Sequence, residues 1–235
     1  MNPTKTVVVA DDHPLYRTAL REALKQVMPG ARVVEADSYP SLQNALQQHG
    51  APDLVLLDLV MPGVRGFSSL LFLRSEYPSV RVVVVSGYEE TALIRRVLQF
   101  GAAGFIPKSA SLETMGEAVL AVLAGKVWTP PEAPPGPDSG VDAEVARKVA
   151  SLSPQQLRVL LMLADGRLNK QIAHELAITE ATVKAHMTVI LRKLGLVRRT
   201  QAAVLAQRLM QEEALPLAVD HIMDPDPPEE ETPAS

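Results

Sequence analysis

The 235-residue chain has no cysteine. Disulfides, thiolate metal sites and cysteine nucleophiles are therefore excluded. It has no apolar run near the ~18 residues that a membrane span needs, so no membrane partner is expected. The first twelve residues offer only Val7–Ala10 as an apolar stretch before Asp11 and Asp12, which is not the pattern of a signal peptide. A cytoplasmic protein is the expectation. Residues 211–235 lack Lys and Arg altogether but carry 8 Asp+Glu.

What is present is a chain 47% apolar, enough for a real core. Its charge is unevenly spread. Residues 1–128 balance 12 Lys+Arg against 12 Asp+Glu, whereas residues 151–210 hold 9 against 3. A compact basic block beside an acidic tail suggests an anionic partner, with nucleic acid the first candidate. Proline marks the joints: Pro130, Pro131, Pro134, Pro135 and Pro137 break both helix and strand. Four segments result: a domain over 1–128, a Pro-rich linker over 129–150, a second domain over 151–210, and an acidic tail over 211–235 expected to be disordered.

The first domain alternates short β-branched runs with helical patterns. The runs are Thr6–Ala10, Arg32–Ala36, Leu54–Asp58, Arg81–Ser86 and Gly104–Ile106. Three of them are continuously apolar, which means both faces of their sheet are covered. Five βα units predict a doubly wound α/β fold with a parallel sheet. The second domain reads as all helix. Ser153-Pro154 starts one helix, Asn169–Leu176 forms a short one, Thr179 caps Glu180–Leu194, and Thr200 caps a last one reaching about Met210. Two short helices joined by a tight turn fit a helix-turn-helix.

In a doubly wound sheet the carboxyl ends of the strands share one edge, where sites form. Asp11, Asp12, Asp58 and Ser86 end strands there, and Lys108 follows the fifth strand. Three crowded carboxylates repel one another unless a cation joins them. Oxygen ligands without thiolate favour a hard ion such as Mg²⁺. Such an ion and a lysine together can hold a phosphoryl group against a carboxylate nucleophile. A lone aspartate after a strand is ordinarily a turn former; here the other four residues and the turn Met61-Pro62-Gly63 accompany it.

Those residues, with Phe105-x-x-Lys108, resemble the receiver domain of bacterial response regulators over 5–125. The resemblance implies a five-stranded sheet of order 2-1-3-4-5 and Asp58 as phosphoacceptor. It implies Mg²⁺ held by Asp11, Asp12, Asp58 and the backbone carbonyl of Val60. Ser86 and Lys108 would contact the phosphoryl group, with Phe105 as a rotamer switch in place of the commoner Tyr. His13 reads as a loop residue, and Tyr88 as a surface residue or a guard against water.

On a helical wheel, Val183, Met187, Ile190 and Leu194 share one face, and Ala181, Lys184, Ala185, Thr188 and Arg192 the other. Leu152-Ser153-Pro154, Asn169-Lys170-x-Ile172-Ala173, Thr182-Val183-Lys184-x-His186 and Lys193-Leu194-Gly195 resemble the NarL/LuxR-type helix-turn-helix. The resemblance implies Glu180–Leu194 as recognition helix in the major groove. Lys184, Ala185 and Thr188 would face bases, and Asn169, Lys170, Thr179, Thr182 and Arg192 would lie near phosphates. His186 reads as structural. Relatives carry acids near the start of the first helix where this chain has Gln156 and Arg158, so a salt bridge there is expected to be missing. The whole implies a phosphorylation-controlled transcriptional regulator, without turnover enzymology, served by a sensor histidine kinase and binding double-stranded DNA as a homodimer. The alternatives are an aspartyl-nucleophile phosphatase, disfavoured by Val60 where a second acid is needed, and a DNA-binding regulator independent of phosphorylation.

Overall fold

A computed structural model describes residues 4–131 and 141–210. The tail 211–235 and linker residues 132–140 lie outside the described residues. Ten helices and five strands are described. The N-terminal domain runs β1 (Thr6–Ala10), α1 (Pro14–Val27), β2 (Arg32–Ala36), α2 (Tyr39–His49), β3 (Leu54–Asp58), α3 (Ser68–Glu76), β4 (Arg81–Ser86), α4 (Thr91–Gln99), β5 (Gly104–Pro107) and α5 (Leu112–Leu123). All pairings are parallel, in the order β2-β1-β3-β4-β5.

The period of two along each strand splits the core into two layers. Val7, Val9, Leu54, Leu56, Val83, Val85 and Ile106 face α1 and α5, meeting Leu20, Leu24, Met115 and Val119. Val8, Val55, Leu57, Val82, Val84 and Phe105 face the other way, toward Leu42, Leu70, Leu73, Ile94 and Val97. Every residue of β3 is buried, as expected of a central strand covered on both sides. Beyond α5 the chain returns to the open side of β5. Trp128 N–H donates to Ala103 O at 3.1 Å, and Phe105 N–H donates to Trp128 O at 3.0 Å. Gly104 is required at this closure, because a Cβ there would meet Trp128 O at 2.8 Å.

The linker reading over 129–150 needs correction at its end. Val141–Ala150 is a helix, α6. Its Ala143, Val145, Ala146 and Val149 are buried, so it packs as part of the fold and links no domains loosely. Four more helices follow: α7 (Pro154–Ala164), α8 (Asn169–Glu175), α9 (Glu180–Leu194) and α10 (Arg199–Leu209). Ser153 caps α7 in a reciprocal box with Gln156, and Thr179 caps α9 by accepting from Thr182 N–H. Gly195 ends α9 in the left-handed region at φ 72°. The expected cap of α10 at Thr200 is replaced by Arg198. The Gln201 side chain there accepts from the Val197 and Arg198 N–H groups, both at 2.9 Å.

The helical domain sits on the face of the N-terminal domain formed by α3 and α4, which contact α6 and α7. The apolar cluster of that face runs on without a break into Val145, Leu157, Leu160 and Leu205. Phe67 N–H donates to Leu209 O at 3.1 Å. Two ion pairs flank the contact, Arg65 with Asp165 and Arg158 with Glu76.

Candidate functional site: a carboxylate cluster and an exposed helix face

The carboxyl ends of β1 and β3 place Asp11 and Asp58 side by side. They are 1% and 2% exposed, too buried for two uncompensated charges. The compensation is Lys108, which follows β5. Its Nζ lies 2.7 Å from Asp58 Oδ2 and 2.8 Å from Asp11 Oδ2. Backbone groups fix the remaining oxygens: Val60 N–H donates to Asp58 Oδ1 at 3.0 Å, and His13 N–H to Asp11 Oδ1 at 2.8 Å. Burial raises the Asp58 pKa above the usual carboxylate range, against the hydrogen bond from Lys108 and the Val60 N–H. Burial alone would lower Lys108; its close contacts with the Asp11 and Asp58 carboxylates outweigh this and raise it.

Ser86 ends β4 next to this group, 1% exposed, its Oγ accepting from Tyr88 N–H at 3.1 Å. Lys108 N–H donates to Ser86 O at 2.7 Å, which ties the β5 end to the β4 end. Phe105 is fully buried on the α4 side of the sheet. Val60 is partly exposed on the loop after Asp58. Asp11, Asp12, Asp58 and Lys108 thus come together, with Ser86 beside them.

Ligand atoms of Asp11, Asp12, His13 and Asp58 lie within 4.8 Å of one another. Among the described residues, buried Asp11 Oδ2 and Asp12 Oδ1 accept no hydrogen bond. The nitrogens nearest these two oxygens are Lys108 Nζ and His13 Nδ1, each at 2.8 Å. Undersatisfied carboxylate oxygens at this spacing fit a hard divalent cation. His13 was read as a plain loop residue, yet its imidazole meets both acids. Its place directly after the acidic pair was the available signal. Tyr16 was missed entirely: Lys108 Nζ lies 5.0 Å from its ring centroid. Helical periodicity carries no signal for a contact made off the end of a helix.

In the second domain, Val183, Met187, Ile190 and Leu194 are buried and Lys184, Ala185, Thr188 and Arg192 are exposed, as the helical wheel predicts. Thr182 Oγ1 lies 2.8 Å from Thr179 Oγ1. Lys170 is exposed, whereas Asn169 Oδ1 is engaged by Arg199 Nη1, a clamp between α8 and α10. His186 is half-buried, as a structural residue would be. The salt bridge expected to be missing at the start of α7 has a neutral substitute. Lys193 Nζ donates to Gln156 Oε1 at 3.0 Å and to Ser151 O at 2.6 Å. Arg158 instead pairs with Glu76 of the first domain.

Residues 7–120 match the response regulator receiver domain family, and residues 150–206 match the family described as bacterial regulatory proteins, luxR family. The chain is a response regulator of the NarL type. It is 37% identical to the glycerol metabolism activator of Pseudomonas putida over 210 residues, covering 85% of this chain and 94% of that protein. It is 35% identical to the nitrate/nitrite response regulator NarL of Escherichia coli, covering 85% and 93%. The receiver domain of RcsB from Escherichia coli superposes with a TM-score of 0.50 at 27% identity, covering 54% of this chain and 98% of that one. RcsB from Salmonella typhimurium shares the fold, with a TM-score of 0.51 at 24% identity over 87% of this chain and all of that one. This response regulator is therefore a phosphorylation-regulated, DNA-binding transcription regulator. Among the described residues no helix is long and apolar enough to cross a membrane.

Proposed function

We propose that Asp58 is the phosphoacceptor, that a sensor histidine kinase is the donor, and that the chain carries out the transfer itself in the cytoplasm. The observation that carries this reading is the pairing of buried Asp58 with Lys108 Nζ at 2.7 Å, next to the underbonded oxygens of Asp11 and Asp12. An Asp58 carboxylate oxygen attacks the phosphorus of a phosphoimidazole. The P–O bond forms as the P–N bond breaks, and the imidazole leaves with the electron pair and takes up a proton. Lys108 holds the carboxylate ionised and then faces the charge of the transferred group. Asp11, Asp12, Asp58 and the carbonyl of Val60 would hold Mg²⁺, which supplies charge neutralisation for the transferring phosphoryl group. The Ser86 hydroxyl moves inward to donate a hydrogen bond to a phosphoryl oxygen, and Phe105 follows it. Water later cleaves the same acyl phosphate.

The DNA-facing surface in this reading is the Lys184, Ala185, Thr188 and Arg192 side of α9, in the major groove. Lys170, Thr179, Thr182 and the Asn169 side chain lie along the backbone. Two copies sit on paired half-sites. The recognition face is exposed while the two domains are docked, which supports phosphorylation acting through pairing of copies more than through uncovering of α9. The same exposure favours the second reading, DNA binding independent of phosphorylation.

The test is incubation with acetyl phosphate and Mg²⁺. Labelling is expected on Asp58 alone, lost in Asp58→Asn and in Asp12→Ala. Labelling of Asp58→Asn at the wild-type level overturns the assignment. Wild-type affinity of Asp58→Ala for the specific site, unmoved by phosphodonor in the parent, would establish the second reading.

A further inference from the structure

Lys108 has a third neighbour besides the two carboxylates. Tyr16, in the first turn of α1, presents its ring to the ammonium at 5.0 Å from the centroid, inside the range of cation–π attraction. The hydroxyl at the far end of the ring is buried and has no hydrogen-bond partner among the described residues. Burial, with the charges of Asp11 and Glu89, pushes its ionisation up to about 12, so the ring stays neutral and keeps its electron-rich face. A tyrosine placed for its hydroxyl would have that hydroxyl bonded. Here the ring face is the part in use.

We propose that Tyr16 is a positioning residue for phosphotransfer, its ring holding the Lys108 ammonium between Asp11 and Asp58. The inference rests on the reading of Asp58 as phosphoacceptor. Its physical content lies in what happens as the phosphoryl group arrives. The oxygen that Lys108 contacts becomes part of an acyl phosphate, and the ammonium must shift to the new phosphoryl oxygens. Hydrogen bonds to carboxylates fix direction and resist that shift. A π face attracts a cation over a broad area, so the ammonium can slide while staying held. Without the ring, the four-carbon lysine stem has more positions to sample, and the productive one is less populated.

The experiment uses the full chain and measures the rate of Asp58 labelling by acetyl phosphate with Mg²⁺. Tyr16→Leu is expected to slow labelling roughly 3- to 10-fold, the range of one partly exposed cation–π contact. Tyr16→Phe keeps the ring and is expected to stay within about twofold of the parent. In a Lys108→Ala background, Tyr16→Leu is expected to add nothing, because the residue acts only through the lysine. Equal slowing by Tyr16→Leu in both backgrounds, no slowing in the parent, or damage by Tyr16→Phe equal to that of Tyr16→Leu would each overturn the inference. A second readout is independent of phosphorylation. The ring-current shift of the Lys108 ε-methylene protons should survive Tyr16→Phe and vanish in Tyr16→Leu. If the parent fails to label at Asp58, the phosphoacceptor reading falls, and with it any role of Tyr16 in transfer. The proton shifts would then decide only whether the ring holds the lysine.

Discussion

Asp58 shows how a buried carboxylate strains the fold that holds it. Its pKa is raised chiefly by burial, so the folded state disfavours the charged form. The favourable contribution is complete below the unfolded pKa of ~4 and is lost as pH rises through the raised folded value. At neutral pH the ionised group is then a net cost to the metal-free protein. Asp58→Asn, which mimics the neutral form, is expected to melt no lower than the parent without metal. Mg²⁺ at about 100 times its Kd should stabilise the parent by ~2.7 kcal/mol. At this chain length that is a rise of roughly 5–11 °C, and it should largely disappear in Asp58→Asn. Calorimetry with and without Mg²⁺ checks both outcomes, and an equal rise in the two proteins would place the ion elsewhere. Asp11 and Asp58 were legible in the sequence because each ends a continuously apolar run; Asp12 is next in line after Asp11, and Lys108 comes just past the fifth strand. His13 and Tyr16 were not, because what makes them part of the site is the crossing of α1 over the sheet edge, which no local pattern encodes.

At the scale of elements, the strands were legible almost to the residue. Runs such as Leu54–Leu57 have nowhere to go but the middle of a covered sheet. The short helix α6 was hidden by the prolines before it. Its one buried stripe, Val145, Ala146 and Val149, covers fewer than two turns, too short a pattern to stand out. The start of α10 was misread because Gln201 does the capping from inside the helix, where sequence rules look for a hydroxyl at the boundary. The turn before α9 holds a strained residue. Ala177 is exposed and sits at φ 52°, a conformation costing a non-glycine residue about 1–2 kcal/mol. Ala177→Gly removes that strain and no packing. It is expected to raise the unfolding free energy of the helical domain by up to about 1 kcal/mol in urea titrations, after the entropy cost of glycine is subtracted. A loss of stability would mean that the turn is held by something other than its backbone.

Across the whole molecule, the loop that starts at Asp58 ends at Phe67, whose N–H bonds to Leu209 at the end of α10. Asp58 and the DNA-binding domain are thus connected through a short stretch of backbone. Arg158–Glu76 and Arg65–Asp165 secure the contact at its rim, where each pair contributes ~0–1 kcal/mol. Glu76→Arg places like charges together and is expected to loosen the docking, seen as a larger radius of gyration in solution scattering. Because the α9 face is already exposed, affinity for non-specific DNA should change by no more than about twofold beyond what the added charge explains. A large gain would show that docking shields α9 after all. The return of the chain along β5 has a further consequence for anyone cutting the two domains apart. A fragment ending at Gly125 would lack the backbone of Trp128, leaving Ala103 O and Phe105 N–H bare on the rim of the sheet. Bare strand rims recruit one another. Such a fragment should self-associate as its concentration rises, whereas one ending after Pro131 should stay monodisperse at the same concentration.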